Sequence, residues 1–196
     1  MALKLPKIVP QKDVTKMLKA INLRCSTGVR NYAVIMAMCR GGLRVSEVCK
    51  LAAQDVDLEN GLLYIQLAKG LDGGKDRYTV IDNAAIEAFK KWLAIRPESR
   101  YFFSTLKGGK LNERYVREVC YRLSKKAGVY IQDGEEQKPV HPHTLRHVMA
   151  TRALNDVGMN VRELQTMLGH SSLSSTMIYT HVQPKELAEK YRSRSK

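Results

Sequence analysis

Apolar positions recur at helical spacing along most of this 196-residue chain. After a lead-in over 1–12, where Pro6 and Pro10 oppose a helix, Val14, Met17, Leu18 and Ile21 form a first stripe. A second apolar helix is predicted from about Gly28 to Cys39. It stops at Arg40-Gly41-Gly42, where paired glycines permit the positive φ of a sharp turn. A short helix follows from about Leu43, with Val45, Val48, Cys49 and Ala52 on one face and Arg44 and Glu47, three apart, on another. The pattern then changes period. Leu62 to Leu67 and Tyr78 to Ile81 are rich in strand formers and flank the glycine-rich loop 70–74, which predicts an antiparallel hairpin over about 62–81.

Helical spacing returns from about Ala84 to Ile95 and again from Asn112 to Ala127, the latter with Gly128 placed as a cap. The aromatic run Tyr101-Phe102-Phe103 between them reads as core or a strand fragment. Pro142 suits the first turn of a helix reaching about Asp156, which puts His143 and Arg146 on one face at its start, and Gly158 breaks it. Val161, Leu164 and Leu168 stripe a last short helix that Gly169 ends, with His170 just beyond. Residues 171–175 offer N-cap choices for a helix carrying Tyr179, limited by Pro184. The predicted fold class is α+β, mainly α-helical, with a small antiparallel sheet. One domain is expected over 13–182, followed by a tail over 183–196.

Charge narrows the partners. The 33 Lys and Arg against 19 Asp and Glu give a formal charge of +14, which favours a polyanion, and the basic residues are dispersed through periodic segments. The four cysteines show no Cys-x-x-Cys pairing and three lie among apolar neighbours, which reads as reduced, buried thiols in a cytoplasmic protein. No apolar run approaches the roughly 18 residues that a membrane-spanning helix needs.

The chemistry is concentrated in a few words. His143-Thr144-Leu145-Arg146 precedes Leu168-Gly169-His170 and then Ile178-Tyr179-Thr180-His181, while Gly42-Leu43-Arg44-Val45-Ser46-Glu47 and Lys69 stand upstream. Cutting a phosphodiester without a metal needs charge neutralisation on the phosphate, a nucleophile, and an acid for the departing alkoxide. Arg44 and Arg146 suit the first role, because a guanidinium donates two parallel hydrogen bonds to phosphate and stays charged. A phenol titrates near pH 10, so Tyr179 needs help from His143 or from neighbouring positive charge. His143 and His147 stand four apart, as zinc ligands on a helix do, but Thr144 occupies the place of the glutamate in a His-Glu-x-x-His site. No Gly-rich phosphate loop of the Walker type appears. Neither a metal nor a cofactor is expected.

In this ordered set, Arg, Lys, His-x-x-Arg, His, Tyr, the chain resembles the tyrosine recombinases, the phage integrase and Xer family, from about Pro10 to Val182. The resemblance implies a catalytic-domain fold and a site-specific strand transferase acting on double-stranded DNA as a dimer to tetramer. It implies that Tyr179 attacks the scissile phosphorus to give a 3′-phosphotyrosyl link and a free 5′-hydroxyl, without ATP. Lys69 matches the strand lysine that protonates the leaving oxygen, with Lys75 across the loop as the alternative. His170 would hydrogen-bond a non-bridging phosphate oxygen, and Glu47 would hold Arg44 or a histidine in place. Most relatives carry a further N-terminal clamp domain, and the chain begins about where the catalytic domain would. Type IB topoisomerases share the chemistry, and a catalytically silent DNA-binding relative would share the fold. The wording His141-Pro142-His143-Thr144-Leu145-Arg146-His147 and the complete residue set favour the recombinase.

Overall fold

The computed structural model describes residues 9–66 and 76–169. Lys69, Lys75, His170, Tyr179 and the tail therefore lie outside the described residues.

Helix α1 (Gln11–Lys19) starts after Pro10 and buries Val14, Met17 and Leu18. Helix α2 (Ser26–Cys39) is the centre of the molecule: every residue from Ala33 to Cys39 is buried, as expected of a helix that is apolar all round. It packs against α4 (Asn83–Leu93) on one side and α6 (Pro142–Asn155) on another. Between α2 and α4 lie the short α3 (Val45–Lys50) and a three-stranded antiparallel sheet, β1 (Val56–Asp57), β2 (Leu62–Ile65) and β3 (Arg77–Val80), in the order β1-β2-β3. The register pairs Leu62 with Val80 and Ile65 with Arg77. The predicted hairpin is therefore present, with β1 as an extra edge strand too short to show a period.

The aromatic run is core. Phe102 and Phe103 pack with Phe89 of α4 at ring-centroid distances of 5.0 to 5.2 Å. The buried Trp92 indole donates to the Phe102 carbonyl at 2.8 Å, so its polar atom is satisfied. Helix α5 (Glu113–Ala127) is capped by the Asn112 side chain and ends at Gly128, whose φ of 63° is left-handed. A second hairpin that the sequence pattern did not announce, β4 (Tyr130–Asp133) with β5 (Glu136–Pro139), joins α5 to α6. Helix α6 stops at Asn155, three residues before Gly158, so the glycine follows the break.

Helix α7 (Val161–Leu168) has a reciprocal capping box between Asn160 and Glu163 and ends at Gly169, again left-handed at φ 64°. Its buried Leu164, Met167 and Leu168 join Met149, Ala150 and Ala153 of α6 in a small cluster separate from the main core. Gly42 abuts that cluster: a Cβ there would meet Met149 Cε at 2.0 Å, and its φ is +67°. The loop between α2 and α3 needs this glycine on both counts.

Candidate active site

Arg44 stands at the N-cap of α3, one step before the helix, so it does not share a helical face with Glu47 as the spacing suggested. The link between them is a cap: the Arg44 backbone N–H donates to Glu47 Oε2 at 2.7 Å and its Nη1 to Oε1 at 3.0 Å. The guanidinium is thereby aimed while 35% of the side chain stays open to solvent. Glu47 is buried, and of the two partners expected for it, Arg44 or a histidine, the described contacts give Arg44.

The same carboxylate takes a second arginine that sequence reasoning missed. Arg77, at the start of β3, donates Nη1 and Nη2 to the two Glu47 oxygens, each at 2.9 Å, and Nε to the Met167 carbonyl at 2.9 Å. A signal existed. The inward positions of β3 are Arg77 and Thr79, both buried, while Tyr78 and Val80 point outward and are exposed. A strand that turns its polar residues in is tied to something, and Thr79 Oγ1 indeed donates to the Gly41 carbonyl at 2.8 Å.

Arg146 reaches the same place from the first turns of α6. It is buried, with Nη1 on the Gly42 carbonyl, Nη2 on the Leu168 carbonyl at 2.5 Å, and Nη1 3.8 Å from Glu47 Oε2. Burial alone would raise the Glu47 pKa, but the hydrogen bonds and charge of Arg77, then the charge of Arg146 and the Arg44 N–H, outweigh it and lower it below the ordinary glutamate value. The carboxylate is ionised at neutral pH. Three guanidinium charges against one carboxylate leave the cluster with a net +2, adjoining the positive N-terminal end of α6.

His143 shares that first turn with Arg146 but not its surroundings. Its side chain is partly exposed and stacks on His141 at 5.3 Å with 5° between the ring planes, while His141 Nδ1 accepts from the His143 backbone N–H at 3.3 Å. Partial burial, followed by the charges of His141, Arg146, Arg44 and Arg117, lowers its pKa below the usual histidine value. The imidazole is therefore neutral at pH 7 and able to accept a proton. The stack faces a cleft of about 630 Å³ between α5, the β4-β5 hairpin and α6, lined among others by Tyr121, Ile131, Lys138 and His147. Among the described residues no group of three or more His, Cys, Asp or Glu is placed to hold a metal ion.

This arrangement fits a phosphate oxyanion held by arginines beside a neutral imidazole. The model of the phage integrase family matches residues 7–186. The chain belongs to the phage integrase family. Among the relatives within it, the tyrosine recombinase XerC of Thermodesulfovibrio yellowstonii is 36% identical over 95% of this chain and 62% of its own length. That of Bacillus subtilis is 34% identical over 97% of this chain and 62% of its own. The chain thus spans less than two thirds of the length of these relatives. Among solved structures, the XerA recombinase superposes with a TM-score of 0.78 at 29% identity, covering 97% of this chain and 66% of the other. The XerH site-specific recombinase bound to palindromic difH substrate, in a post-cleavage complex, gives 0.73 at 27% identity, covering 100% of this chain and 55% of the other.

Proposed function

We propose that the chain cleaves and rejoins double-stranded DNA as a site-specific tyrosine recombinase, working on DNA as a dimer to tetramer. The observation that carries this reading is the buried cluster in which Glu47 holds Arg44 and Arg77, with Arg146 beside it and the neutral His143 one helical turn away. Arg44 and Arg146 neutralise the scissile phosphate as negative charge builds on its non-bridging oxygens, and His170 adds a further hydrogen bond there. Tyr179 attacks phosphorus as His143 takes the phenolic proton. A bond from the tyrosine oxygen to phosphorus forms, the bond to the 5′-oxygen breaks, and Lys69 or Lys75 protonates that oxygen. Attack by another 5′-hydroxyl reverses these steps. The phosphotyrosyl link conserves the energy of the broken bond, so the cycle needs no ATP, and the arginines neutralise the phosphate in place of a metal.

Within this reading 13–182 is the catalytic domain and 183–196 a tail that docks on a neighbouring protomer. The setting is the cytoplasm, which suits the buried free thiols of Cys39, Cys49 and Cys120. Among the described residues no helix is long and apolar enough to cross a membrane. The test is incubation with a pool of suicide duplexes of randomised sequence, each nicked so that the cleaved fragment diffuses away and the covalent adduct accumulates. Adduct bearing recovered DNA supports recombinase chemistry. Gel retardation without adduct leaves a DNA-binding relative, and relaxation of supercoiled plasmid without strand exchange between recovered sites supports a topoisomerase.

A further inference from the structure

We infer that Arg77 is a positioning residue for strand cleavage, fastening the carboxylate that aims Arg44 to the turn that leads into His170. The inference rests on the recombinase reading above. Its ground is the use of all three guanidinium nitrogens. Two grip the two oxygens of Glu47 side by side, a geometry that fixes the carboxylate in rotation as well as in distance. The third holds the carbonyl of Met167, one of the terminal carbonyls of α7 that has no partner inside its own helix.

Each end of this strut leads to a residue already assigned a role. Glu47 receives the backbone N–H and Nη1 of Arg44, so the direction of Arg44 is set from β3 through Glu47. Met167 precedes Leu168, whose carbonyl Arg146 holds, and Gly169, after which His170 follows in sequence. The Arg77 stem lies directly on Gly169: a Cβ there would come within 2.7 Å of Arg77 Cδ and 3.0 Å of Nε. The side chain is only 5% exposed. A buried ion pair contributes little net stability compared with a packed apolar side chain, so an arginine at this place is better explained by the geometry it imposes.

Two substitutions separate positioning from mere structure: Arg77→Lys, which keeps the charge and loses the fork, and Arg77→Met, which keeps much of the volume and loses both. The full chain is compared with wild type on the duplex recovered from the randomised pool, measuring melting temperature, DNA affinity, the single-turnover rate of adduct formation at saturating DNA, and the pH dependence of that rate. Both variants are expected to fold and to bind DNA as wild type does, while adduct forms about 100-fold more slowly, the scale of effect that a small displacement of reacting groups produces. In Arg77→Met the acid limb of the rate profile moves to higher pH, because Glu47 loses its chief counter-charge and keeps only Arg44 and Arg146. In Arg77→Lys that limb stays in place while the rate falls. A lysine variant that cleaves at the wild-type rate overturns the inference and leaves the recombinase reading intact. Failure of both variants to fold makes Arg77 a structural residue and overturns it equally. A wild-type chain that forms no adduct removes the recombinase reading, and the inference falls with it.

Discussion

The two halves of the site rest on unequal supports. Arg44 caps α3 and Glu47 sits on it, and the helix's Val45, Val48 and Cys49 are part of the extensive core built around α2, Phe89, Trp92 and the phenylalanine pair. The turn that leads to His170 stands on α7, whose buried side chains join the far half of α6 in a cluster of six residues separate from the main core, with β3 packed alongside. Apolar burial fixes the first half directly, at roughly 25 cal/mol per Å² removed from water. The second half is instead fastened by polar ties across the gap. These are Arg77 to Met167, and Arg146, which bridges Gly42 to Leu168. The difference teaches that a small element can be placed accurately without a large core of its own, provided charged donors take its terminal carbonyls. It also assigns the arginines two kinds of work. Arg44, the most open of the three, is left free to meet a phosphate in the proposed reaction, while Arg77 and the deeply set Arg146 hold the protein together.

Arg146→Ala should have the largest effect, because this side chain serves both halves. It removes a donor from the transition state, worth about 2.7 to 4 kcal/mol. It also strands the Gly42 and Leu168 carbonyls, each costing about 1 to 3 kcal/mol if no water replaces the guanidinium. Single-turnover cleavage should fall by two orders of magnitude or more, with a visible drop in melting temperature. Arg44→Ala should lose comparable rate with a much smaller drop. Equal destabilisation by the two would contradict the division of work.

A pair of cavity mutants sharpens it further. Phe89→Ala in the main core should cost about 3 to 5 kcal/mol and lower the stability of the whole chain. Leu164→Ala, at about 2 to 5 kcal/mol, should act on α7 first. Native-state hydrogen exchange reads the distinction. In Leu164→Ala the amides of 161–169 should lose protection while those of 33–39 keep theirs, and uniform loss across both stretches would show a single cooperative unit.

Much of this scaffold was legible beforehand, for reasons visible in particular residues. Helices α1, α4, α5 and α7 carry apolar stripes of period 3.6, α2 shows as an unbroken apolar run and α6 through Pro142 at its first turn, and Gly128 and Gly169 mark the ends of α5 and α7 because those positions need a left-handed backbone. The β4-β5 hairpin left no such trace, since Ile131 is its one buried position and an exposed ribbon has no face to alternate. Arg44 and Arg146 were recognised through the words around them. Arg77 stands in no such word, and its inward direction became apparent only once Tyr78 and Val80 were seen to face solvent. The deep seat of Arg146 was not legible either, because an exposed His143 three residues earlier suggested a shared open face.

Acid should weaken the α6 side in a defined window. Burial first, then the charges of His143 and Arg146, hold the His147 pKa down at about 4, against 6.5 for an unperturbed histidine. Because the folded value is the lower one, the unfolded chain binds the proton first. This contribution to stability is thus fully present above pH 6.5 and is lost as pH falls toward 4. The lowered values of His141 and His143 act in the same direction. Melting temperature measured across that range should decline on acidification, and His147→Gln should flatten the decline. A profile unchanged by that substitution would contradict the assignment. The smallest effect belongs to Lys90→Ala on the outer face of α4, where the exposed Lys90–Glu87 pair at 3.2 Å touches neither half of the site. Stability should change by less than about 0.5 kcal/mol and cleavage should not change.

The most direct test of the central claim, that these two halves together cut DNA through a tyrosine, is to digest the covalent complex from the suicide-duplex pool and identify the modified peptide by mass spectrometry. The expected product is a nucleotide joined through its 3′-phosphate to Tyr179, formed equally well in EDTA and lost in Tyr179→Phe while DNA binding persists. An adduct on another residue, an undiminished adduct in Tyr179→Phe, or cleavage that leaves no protein-linked DNA would contradict it.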